Sequence, residues 1–180
     1  MPMHLSSRVC SVLVAMAVGL TLAGAPAHPG IGAARTDVLV IAKDISDIHT
    51  PDPGKSYDVG GVFLQFPVYS RLVRQRAPDF WKIQPDLAES WTVSPDATIY
   101  TFKLRKDAVF PSGNPVTAED VRFSLLRAKN IKGYGSFLAD SLRTVEVVDG
   151  QTARVLLNGP DATFLAALAA GVFSIVDSKT

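Results

Sequence analysis

Apolar and polar positions alternate most regularly over residues 98–105, which read TIYTFKLR. Tyr100, Phe102 and Leu104 fall on one face of this segment and polar side chains on the other, which is typical of a half-buried β-strand. A Ser-Pro-Asp turn separates the segment from a shorter apolar run at 91–93. The pattern therefore predicts a β-hairpin.

A helical pattern follows further along the chain. Val121, Leu125 and Ala128 recur at i, i+4 and i+7, the spacing of one helix face. Thr117 stands at the expected N-cap and Asp120 three positions later, which is close to a capping box. A Ser-Gly-Asn-Pro turn precedes this start. Because such a cap contributes about 1 kcal/mol, we predict that the turn and the helix start are structural.

The other elements rest on weaker patterns. In chain order we predict a buried strand at 38–42, a loop at 49–58, a helix at 59–73 shaped by Pro67, a strand at 80–83, a hairpin turning at Asp149-Gly150 and a short apolar helix at 162–170. Arg71 and Arg74 suit the C-terminal end of the helix at 59–73. Trp81 and Trp91 are expected in the core.

The first 27 residues differ from the rest of the chain. Arg8 gives a weakly basic start, an uncharged run follows at 9–23, and Ala25-Pro26-Ala27 places small residues where a signal peptidase cleaves. The run is shorter than the roughly 20 residues that a membrane-spanning helix needs. We therefore predict a cleaved signal peptide rather than an anchor. Cys10, the only cysteine, lies at the front of the run rather than at its end, which argues against lipidation.

The overall composition is that of a folded domain. Apolar residues make up 47% and charged residues 19% of the 180 residues, which excludes a disordered chain. The net charge is +1 without a basic run, which argues against a nucleic-acid partner. Without residues 1–27 the chain has no cysteine, which excludes disulfides, thiolate metal sites and a cysteine nucleophile.

No motif indicates catalysis, a metal or a cofactor. The chain has three histidines and neither a Gly-x-Ser-x-Gly nor a zinc or calcium motif. The sequence GYGSFL at 133–138 begins like a dinucleotide loop, but Leu138 replaces the third glycine and a helix precedes it. Glu119 and Asp120 could be imagined as a carboxylate pair, although their place in a first helical turn favours a structural role. We therefore predict a non-enzymatic protein without catalytic or metal-binding residues.

The order of these elements resembles a known family. Residues 87–105 read LAESWTVSPDATIYTFKLR and residues 110–124 read FPSGNPVTAEDVRFS. Both resemble the solute-binding proteins of the peptide, dipeptide and nickel class, family 5, which serve ATP-binding cassette importers. Ala97 departs from the family pattern, which usually has glycine there. The structural motif positions shared with the family include Trp91, Tyr100, Phe102, Phe110, Gly113, Pro115, Thr117 and Asp120.

The resemblance implies a fold and a mechanism. The fold is α/β, the N-terminal lobe of a two-lobed type II periplasmic-binding-protein fold, with a mixed sheet, flanking helices and a truncation at Thr180. After the signal peptide at 1–27, residues 28–36 are rich in Gly, Ala and Pro, which predicts a flexible mature N-terminus. The resemblance then implies a partial lobe at 37–180. Family members close over a peptide or small solute and then dock on membrane permease subunits. The implied location is the periplasmic or extracellular face of a bacterial membrane.

The resemblance also places ligand contacts in two loops. Ser56 and Tyr57 lie in the loop after the Asp-Pro segment, and Tyr134 and Phe137 lie in the loop after the capped helix. Aromatic walls suit a site that packs against varied ligands while backbone groups donate hydrogen bonds. The alternative roles are a core position for Phe137 and a loop anchor for Tyr57. The ligand stays open among peptide, nickel chelate, sugar and opine.

The alternative to a transport role is a small secreted structural or adhesion domain, or a non-functional remnant of a truncated gene. A small domain would close its core without a second lobe and unfold cooperatively. A partial lobe would aggregate or respond like a molten globule. If the chain is a partial lobe, we expect it to bind peptide weakly or not at all.

Overall fold

An antiparallel four-stranded sheet organises the part of the chain that the structure describes. The computed structural model describes residues 41–180, of which 43–180 form one unit. The strands are β1 (Val73–Arg76), β2 (Asp79–Pro85), β3 (Ala88–Val93), β4 (Ile99–Leu104), β5 (Leu142–Asp149) and β6 (Thr152–Leu157). The helices are α1 (Val59–Val68), α2 (Ala118–Asn130) and α3 (Phe164–Ala167), with 3-10 turns at Ser136–Ala139 and Gly171–Phe173.

The four strands lie in the order β3-β4-β6-β5, and β1 pairs with β2 in a separate hairpin. Every strand pair in the described residues is antiparallel. Both predicted hairpins of the sheet are confirmed, since β3 pairs with β4 and β5 pairs with β6. The non-local contact is β4 with β6, which joins Ile99 to Leu156.

The core lies between one face of this sheet and α2. Tyr100, Phe102 and Leu104 are buried, as the alternation predicts. Val121, Leu125 and Ala128 of α2 are buried against them, and the helical spacing is thereby confirmed. A further layer of rings closes the core. Phe164 lies with its ring centroid 5.6 Å from that of Tyr100 and 6.0 Å from that of Phe173, and the Tyr100 hydroxyl donates to the Asp161 carbonyl at 2.5 Å.

The predicted cap of α2 is confirmed and has an additional contact. The Thr117 backbone N–H and hydroxyl donate to the Asp120 carboxylate at 2.8 and 2.7 Å. The other oxygen of that carboxylate accepts from the backbone N–H and hydroxyl of Ser178, at 3.0 and 2.7 Å. Burial alone would raise the pKa of Asp120, but the hydrogen bonds from Ser178 and Thr117 outweigh it and lower the pKa. The cap therefore also fastens the segment around Ser178.

The turn before α2 fastens the same segment. Gly113 has a φ of +87°, a conformation that glycine adopts without strain. The Ser112 hydroxyl and the Asn114 side-chain amide donate to the Asp177 carboxylate at 2.6 and 2.8 Å. The Ser124 hydroxyl accepts from the Val176 N–H at 2.9 Å. The patterned turn and cap thus belong to the scaffold, as predicted.

The prediction of a single helix over 59–73 is wrong at its end. α1 includes Pro67 but stops at Val68, because Tyr69 has an extended backbone, with φ −111° and ψ 143°. The chain then enters β1, an element that the sequence analysis missed. Arg74 lies in β1, and Arg71 is buried with its guanidinium 4.5 Å from the centroid of the Phe66 ring. Neither arginine lies at the end of a helix.

Both tryptophans were predicted in the core, and the structure supports this only for Trp91. Trp91 is partly buried and packs against the core, whereas Trp81 is 95% exposed. The prediction for Trp81 is wrong because β2 pairs only with β1 among the described strands and does not belong to the four-stranded sheet that covers the core. The strand predicted at 80–83 exists within β2, and the apolar helix predicted at 162–170 exists as the shorter α3.

In α1 the large apolar side chains are exposed and the buried positions are glycines and a glutamine, which reverses the usual amphipathic arrangement. Its buried residues are Gly60, Gly61 and Gln65. Both polar atoms of the Gln65 amide are buried without a hydrogen-bond partner among the described residues. The exposed side of the helix is apolar and consists of Val59, Phe63, Leu64, Phe66 and Val68.

The signal peptide predicted at 1–27, the N-terminus at 28–36 and most of the strand at 38–42 lie outside the described residues. Ile41 and Ala42 are described and have no regular secondary structure. Among the helices of residues 41–180, none has the length and apolar character to cross a membrane.

Candidate functional site

An ion pair fixes the loop that carries Ser56 and Tyr57. Arg127, in the last turn of α2, donates to both oxygens of the Asp52 carboxylate, at 2.9 and 2.7 Å. The Gly54 N–H donates to the same carboxylate at 3.0 Å. The Arg127 hydrogen bond lowers the pKa of Asp52, against the effect of burial. The sequence analysis missed this pair, because residues 75 positions apart give no local signal.

The start of α1 fixes the other end of the loop. Asp58 is the N-cap, and its carboxylate accepts from the Gly61 N–H at 2.5 Å. The Ser56 hydroxyl donates to the second oxygen of Asp58 at 2.7 Å. Ser56 is 1% exposed, so in this structure it supports the cap from beneath the surface. The hydrogen bond from Ser56 makes the largest contribution to lowering the pKa of Asp58.

The loop after α2 crosses the first loop with little space between the backbones. The Tyr134 N–H donates to the Lys55 carbonyl at 3.3 Å. A Cβ atom on Gly133 would overlap the carbonyl oxygen of Gly54 and lie 2.7 Å from the Cα of Lys55. A Cβ on Gly135 would lie 3.1 Å from Cδ2 of Tyr57. Glycine at these positions therefore lets the two loops meet.

This crossing brings Tyr57 against Phe137, and Tyr134 lies in the same loop as Phe137. Tyr57 and Phe137 make an edge-to-face contact, with ring centroids 5.5 Å apart. Tyr57 is 42%, Phe137 55% and Tyr134 75% exposed. We call Tyr57, Tyr134 and Phe137 the aromatic cluster. Exposed rings on two fixed loops form a surface that can pack against an apolar or planar group of a ligand.

His49 is a neighbour of this cluster that the sequence analysis did not include. Its ring centroid lies 6.4 Å from that of Tyr134. His49 lies in the loop predicted at 49–58, and only its position shortly before the Asp-Pro segment could have suggested it. Among residues 41–180, no group of three or more histidine, cysteine, aspartate or glutamate residues could hold a metal ion.

A separate groove of about 920 Å³ is lined in part by the Asp52–Arg127 pair. It contains neither Tyr134 nor Phe137. Its lining includes Pro51, Tyr69, Phe110, Phe123, Ile175 and Asp177. Asp52, Arg127 and Asp177 are charged side chains that line the groove. Asp52 pairs with Arg127, and Asp177 accepts hydrogen bonds from Ser112 and Asn114. These three charged side chains of the groove are therefore held in contacts within the protein.

Comparison with protein families gives a match over the second half of the chain. Residues 82–180 match the family model of the bacterial extracellular solute-binding proteins, family 5 Middle. The matched range includes the four-stranded sheet, the capped helix and the loop of Tyr134 and Phe137, and it begins within β2.

Curated proteins and solved structures give the same result. The chain is 34% identical over 145 residues to a probable D,D-dipeptide-binding periplasmic protein of Escherichia coli, covering 78% of this chain and 28% of that protein. It is 40% identical over 131 residues to heme-binding protein A of Haemophilus influenzae, covering 62% and 24%. A binding protein of Agrobacterium tumefaciens in complex with agropinic acid superposes with a TM-score of 0.66 at 32% identity, covering 73% and 26%. The chain thus spans about a quarter of the length of these relatives.

Proposed function

Because this chain belongs to the bacterial extracellular solute-binding proteins of family 5, we propose that it acts in the extracytoplasmic substrate-binding component of an ABC transporter. The transported molecules are peptides or related small solutes. Residues 37–180 supply part of the N-terminal lobe of that component. The observation that carries the proposal is the meeting of two fixed loops at the aromatic cluster.

The contacts within the loops support a binding surface. The Asp52–Arg127 pair and the Asp58 cap hold the first loop at both ends. The hydrogen bond from Tyr134 to Lys55 holds the second loop against it. Rings that are held in place before binding lose little conformational freedom when a ligand packs on them. Exposed aromatic residues on rigid loops therefore favour capture of a ligand.

The mechanism is capture rather than catalysis. A ligand enters an open cleft and contacts the aromatic cluster, and the lobes close over it. Binding energy then shifts the equilibrium between the open and closed forms. The closed form docks on the permease subunits of the importer. The protein is not an enzyme, and it works at the periplasmic or extracellular face of the membrane after export through its signal peptide.

The ligand class follows from the surface chemistry only in part. The relatives bind a dipeptide, heme and agropinic acid, according to their names. Three exposed rings suit an apolar side chain or a planar group. Backbone groups of the two loops supply hydrogen bonds that do not depend on the ligand's side chains. We propose short peptides as the first ligands to test.

Photo-crosslinking tests this assignment because it also captures weak complexes. A photoreactive phenylalanine analogue replaces Tyr134 in the full chain, and a mixture of di- and tripeptides is added before irradiation. Mass spectrometry then measures the peptide attached at each position. We expect more attached peptide at residue 134 than at any control position, and less after Tyr57→Ala, since Tyr57 braces Phe137 through the edge-to-face contact.

Two control positions make the result decisive. The same analogue at Val148, which is half exposed on β5, reports non-specific attachment. The analogue at Phe123 reports binding in the groove. Equal attachment at residues 134 and 148 would exclude the aromatic cluster as a peptide site. Attachment only at residue 123 would move the site to the groove.

Calorimetry on residues 28–180 is expected to show no micromolar peptide affinity, and a micromolar value would contradict the two-lobe mechanism.

A further inference from the structure

An asparagine followed by a glycine lies directly after strand β6. The chain contains three asparagines, Asn114, Asn130 and Asn158, and glycine follows only the last of them. An asparagine side chain changes without an enzyme when the backbone nitrogen of the next residue attacks its carbonyl carbon. Glycine permits this attack most readily, because it has no Cβ to crowd its own nitrogen or to restrict its backbone.

The structure leaves both reacting groups of this pair accessible. The Asn158 side chain is exposed, and within residues 41–180 its one hydrogen bond runs from the amide nitrogen to the Asp140 carbonyl, at 3.1 Å. Among the described residues nothing accepts from the Gly159 N–H. A Cβ atom at Gly159 would meet no heavy atom within 4 Å, so the space beside this residue is open. The attack therefore requires only that the Asn158 side chain turn away from Asp140.

The other two asparagines lack a free nitrogen next to them. Asn114 precedes Pro115, whose nitrogen carries no hydrogen and cannot attack. Asn130 ends α2, and the N–H of the following Ile131 already donates to the Arg127 carbonyl at 2.9 Å. The branched side chain of Ile131 also crowds that nitrogen. The structure thus distinguishes the third asparagine from both.

The Asp-Gly turn between β5 and β6 is a second position where a glycine nitrogen follows a carbonyl group. The Gln151 N–H donates to the Asp149 carboxylate at 2.7 Å, and this bond lowers the pKa of Asp149. The group is therefore ionised at neutral pH, and a carboxylate is a poor target for a nucleophile. Gly150 is also held, because its carbonyl accepts from the Ala118 N–H at 3.0 Å. This turn is expected to stay unmodified.

We propose that Asn158 is a site of spontaneous modification to isoaspartate and aspartate. The Gly159 nitrogen loses its proton to the solvent and bonds to Cγ of Asn158, while the side-chain amide takes up a proton and leaves as ammonia. The result is a five-membered succinimide ring. One water molecule opens this ring, giving aspartate by attack at Cγ and isoaspartate by attack at the backbone carbonyl carbon. The net change is the loss of ammonia and the gain of water, without an oxidant or a reductant.

Both products change the connection between the sheet and α3. A carboxylate in place of the amide removes the donor to the Asp140 carbonyl and places a negative charge near that oxygen. The net charge of the chain becomes one minus one, or zero. Isoaspartate also adds a methylene group to the main chain. The addition falls between Leu157, which pairs with Leu142, and Asp161, whose carbonyl accepts from Tyr100. We therefore expect isoaspartate to lower the urea midpoint.

Incubation of the full chain in mildly alkaline buffer, followed by peptide mass mapping, tests the proposal. The peptide that contains Asn158 should gain about 1 Da in ordinary water and about 2 Da more in heavy-oxygen water, because one oxygen comes from the solvent. An endoprotease that cleaves before aspartate but not before isoaspartate separates the two products. The peptides that contain Asn114 and Asn130 should keep their mass.

Gly159→Ala is the matched variant for the attacking nitrogen. The added Cβ meets no neighbour, and the φ of Gly159 lies outside the left-handed region, so the variant should keep the fold. The methyl group crowds the nitrogen, and the rate of the mass gain should fall about tenfold. Asn158→Gln should show no gain, because its longer side chain would have to form a larger ring. Asn158→Asp has the charge of the product without the added methylene, so its urea midpoint isolates the effect of the charge.

Three outcomes would overturn the proposal. A mass gain only in the urea-unfolded chain would show that the hydrogen bond to Asp140 protects Asn158 in the folded protein. Equal rates in the parent chain and in Gly159→Ala would exclude the Gly159 nitrogen as the attacking group. An equally fast gain at Asn130 would show that the structure does not select a site. None of these outcomes bears on the aromatic cluster, which contains neither Asn158 nor Gly159.

Discussion

Ala97 occupies a backbone conformation that alanine rarely adopts. It lies in the turn between β3 and β4 with a φ of +53°, at the position where the resemblance expects glycine. The strain of a left-handed alanine is about 1–2 kcal/mol. The departure from the family pattern, visible in the sequence, therefore marks a local strain that only the structure identifies.

Ala97→Gly is expected to stabilise the chain. Relief of the strain exceeds the extra unfolded-state freedom of glycine, about 0.4–1 kcal/mol, so the free energy of unfolding should rise by about 0.5–1 kcal/mol. The urea midpoint measures it. Ala162→Gly, in a turn outside the positive-φ region, is the matched control and should lower the midpoint. If Ala97→Gly also lowered the urea midpoint, the inference that Ala97 is strained would be wrong.

Single residues were otherwise predictable where chemistry acts within a few positions. Thr117 and Asp120 stand three apart, so their capping box could be recognised from the sequence. Trp81 could not be placed, because its burial depends on which strands lie beside β2. The sequence gives the type of a residue, whereas exposure depends on partners that are distant along the chain.

At the scale of elements, α2 connects the first and last segments of the described chain. Its C-terminal turn holds Asp52 through Arg127, and its N-terminal half holds Val176 and Ser178 through Ser124 and Asp120. The helix and its cap were predicted from periodicity. Its role as a brace was not, because each partner lies more than 50 residues away.

Asp120→Ala is expected to lower the free energy of unfolding by about 1–2 kcal/mol at neutral pH, since the cap and the Ser178 contact are lost together. The pKa of Asp120 is lower in the folded state than its ordinary 3.8. Its contribution is therefore complete above that value and disappears as the pH falls through the folded-state pKa. Urea unfolding at several pH values should show the difference between parent and variant shrinking in acid.

Glu119→Ala is the control for this prediction. Glu119 is one position earlier in α2 and makes an exposed ion pair with Arg122 at 2.6 Å, which contributes about 0.3–0.5 kcal/mol. Hydrogen exchange should speed up at Ser178 in Asp120→Ala only. If both variants changed the free energy of unfolding and the exchange at Ser178 equally, Asp120 would act only through its negative charge near the N-terminus of the helix.

The boundary of α1 shows why element ends are harder to predict than element types. Residues 59–73 have a mixed periodicity that was interpreted as one helix, and Pro67 was placed correctly within a helix. The change to β1 depends on pairing with β2, from Val73 opposite Pro85 to Arg76 opposite Asp79. The sequence pattern of residues 59–73 does not show that β2 pairs with the end of this segment.

At the scale of the whole molecule, the sequence predicted both loops of the candidate site but not their contact. Tyr57 and Phe137 are 80 positions apart, and their edge-to-face packing follows from the crossing of two backbones. The fold class could be predicted because its motifs are local and ordered. Ligand contact at the aromatic cluster stays a prediction.

The apolar side of α1 leads to a prediction for the molecule as a whole. Val59 and Phe63 are 75% and 47% exposed and lie one turn apart. Val59→Ser with Phe63→Ser should lower binding of a hydrophobic dye and reduce self-association in sedimentation experiments, because the exposed apolar area decreases. Val148→Ser on β5 is the control. A larger loss of dye binding in the control would show that α1 is not the dominant apolar surface.

The close approach of Gly133 to Gly54 also limits how the protein can evolve. The atom that a side chain at 133 would meet is a backbone carbonyl oxygen, which every residue type at 54 carries. No substitution at 54 can therefore make room, so a compensating second mutation is not available at that position. A lineage could accept a larger residue at 133 only by changing the length or path of a loop. Such a change would reshape the surface where Tyr57 meets Phe137, so selection on that surface would act through loop insertions and deletions as well as through substitutions.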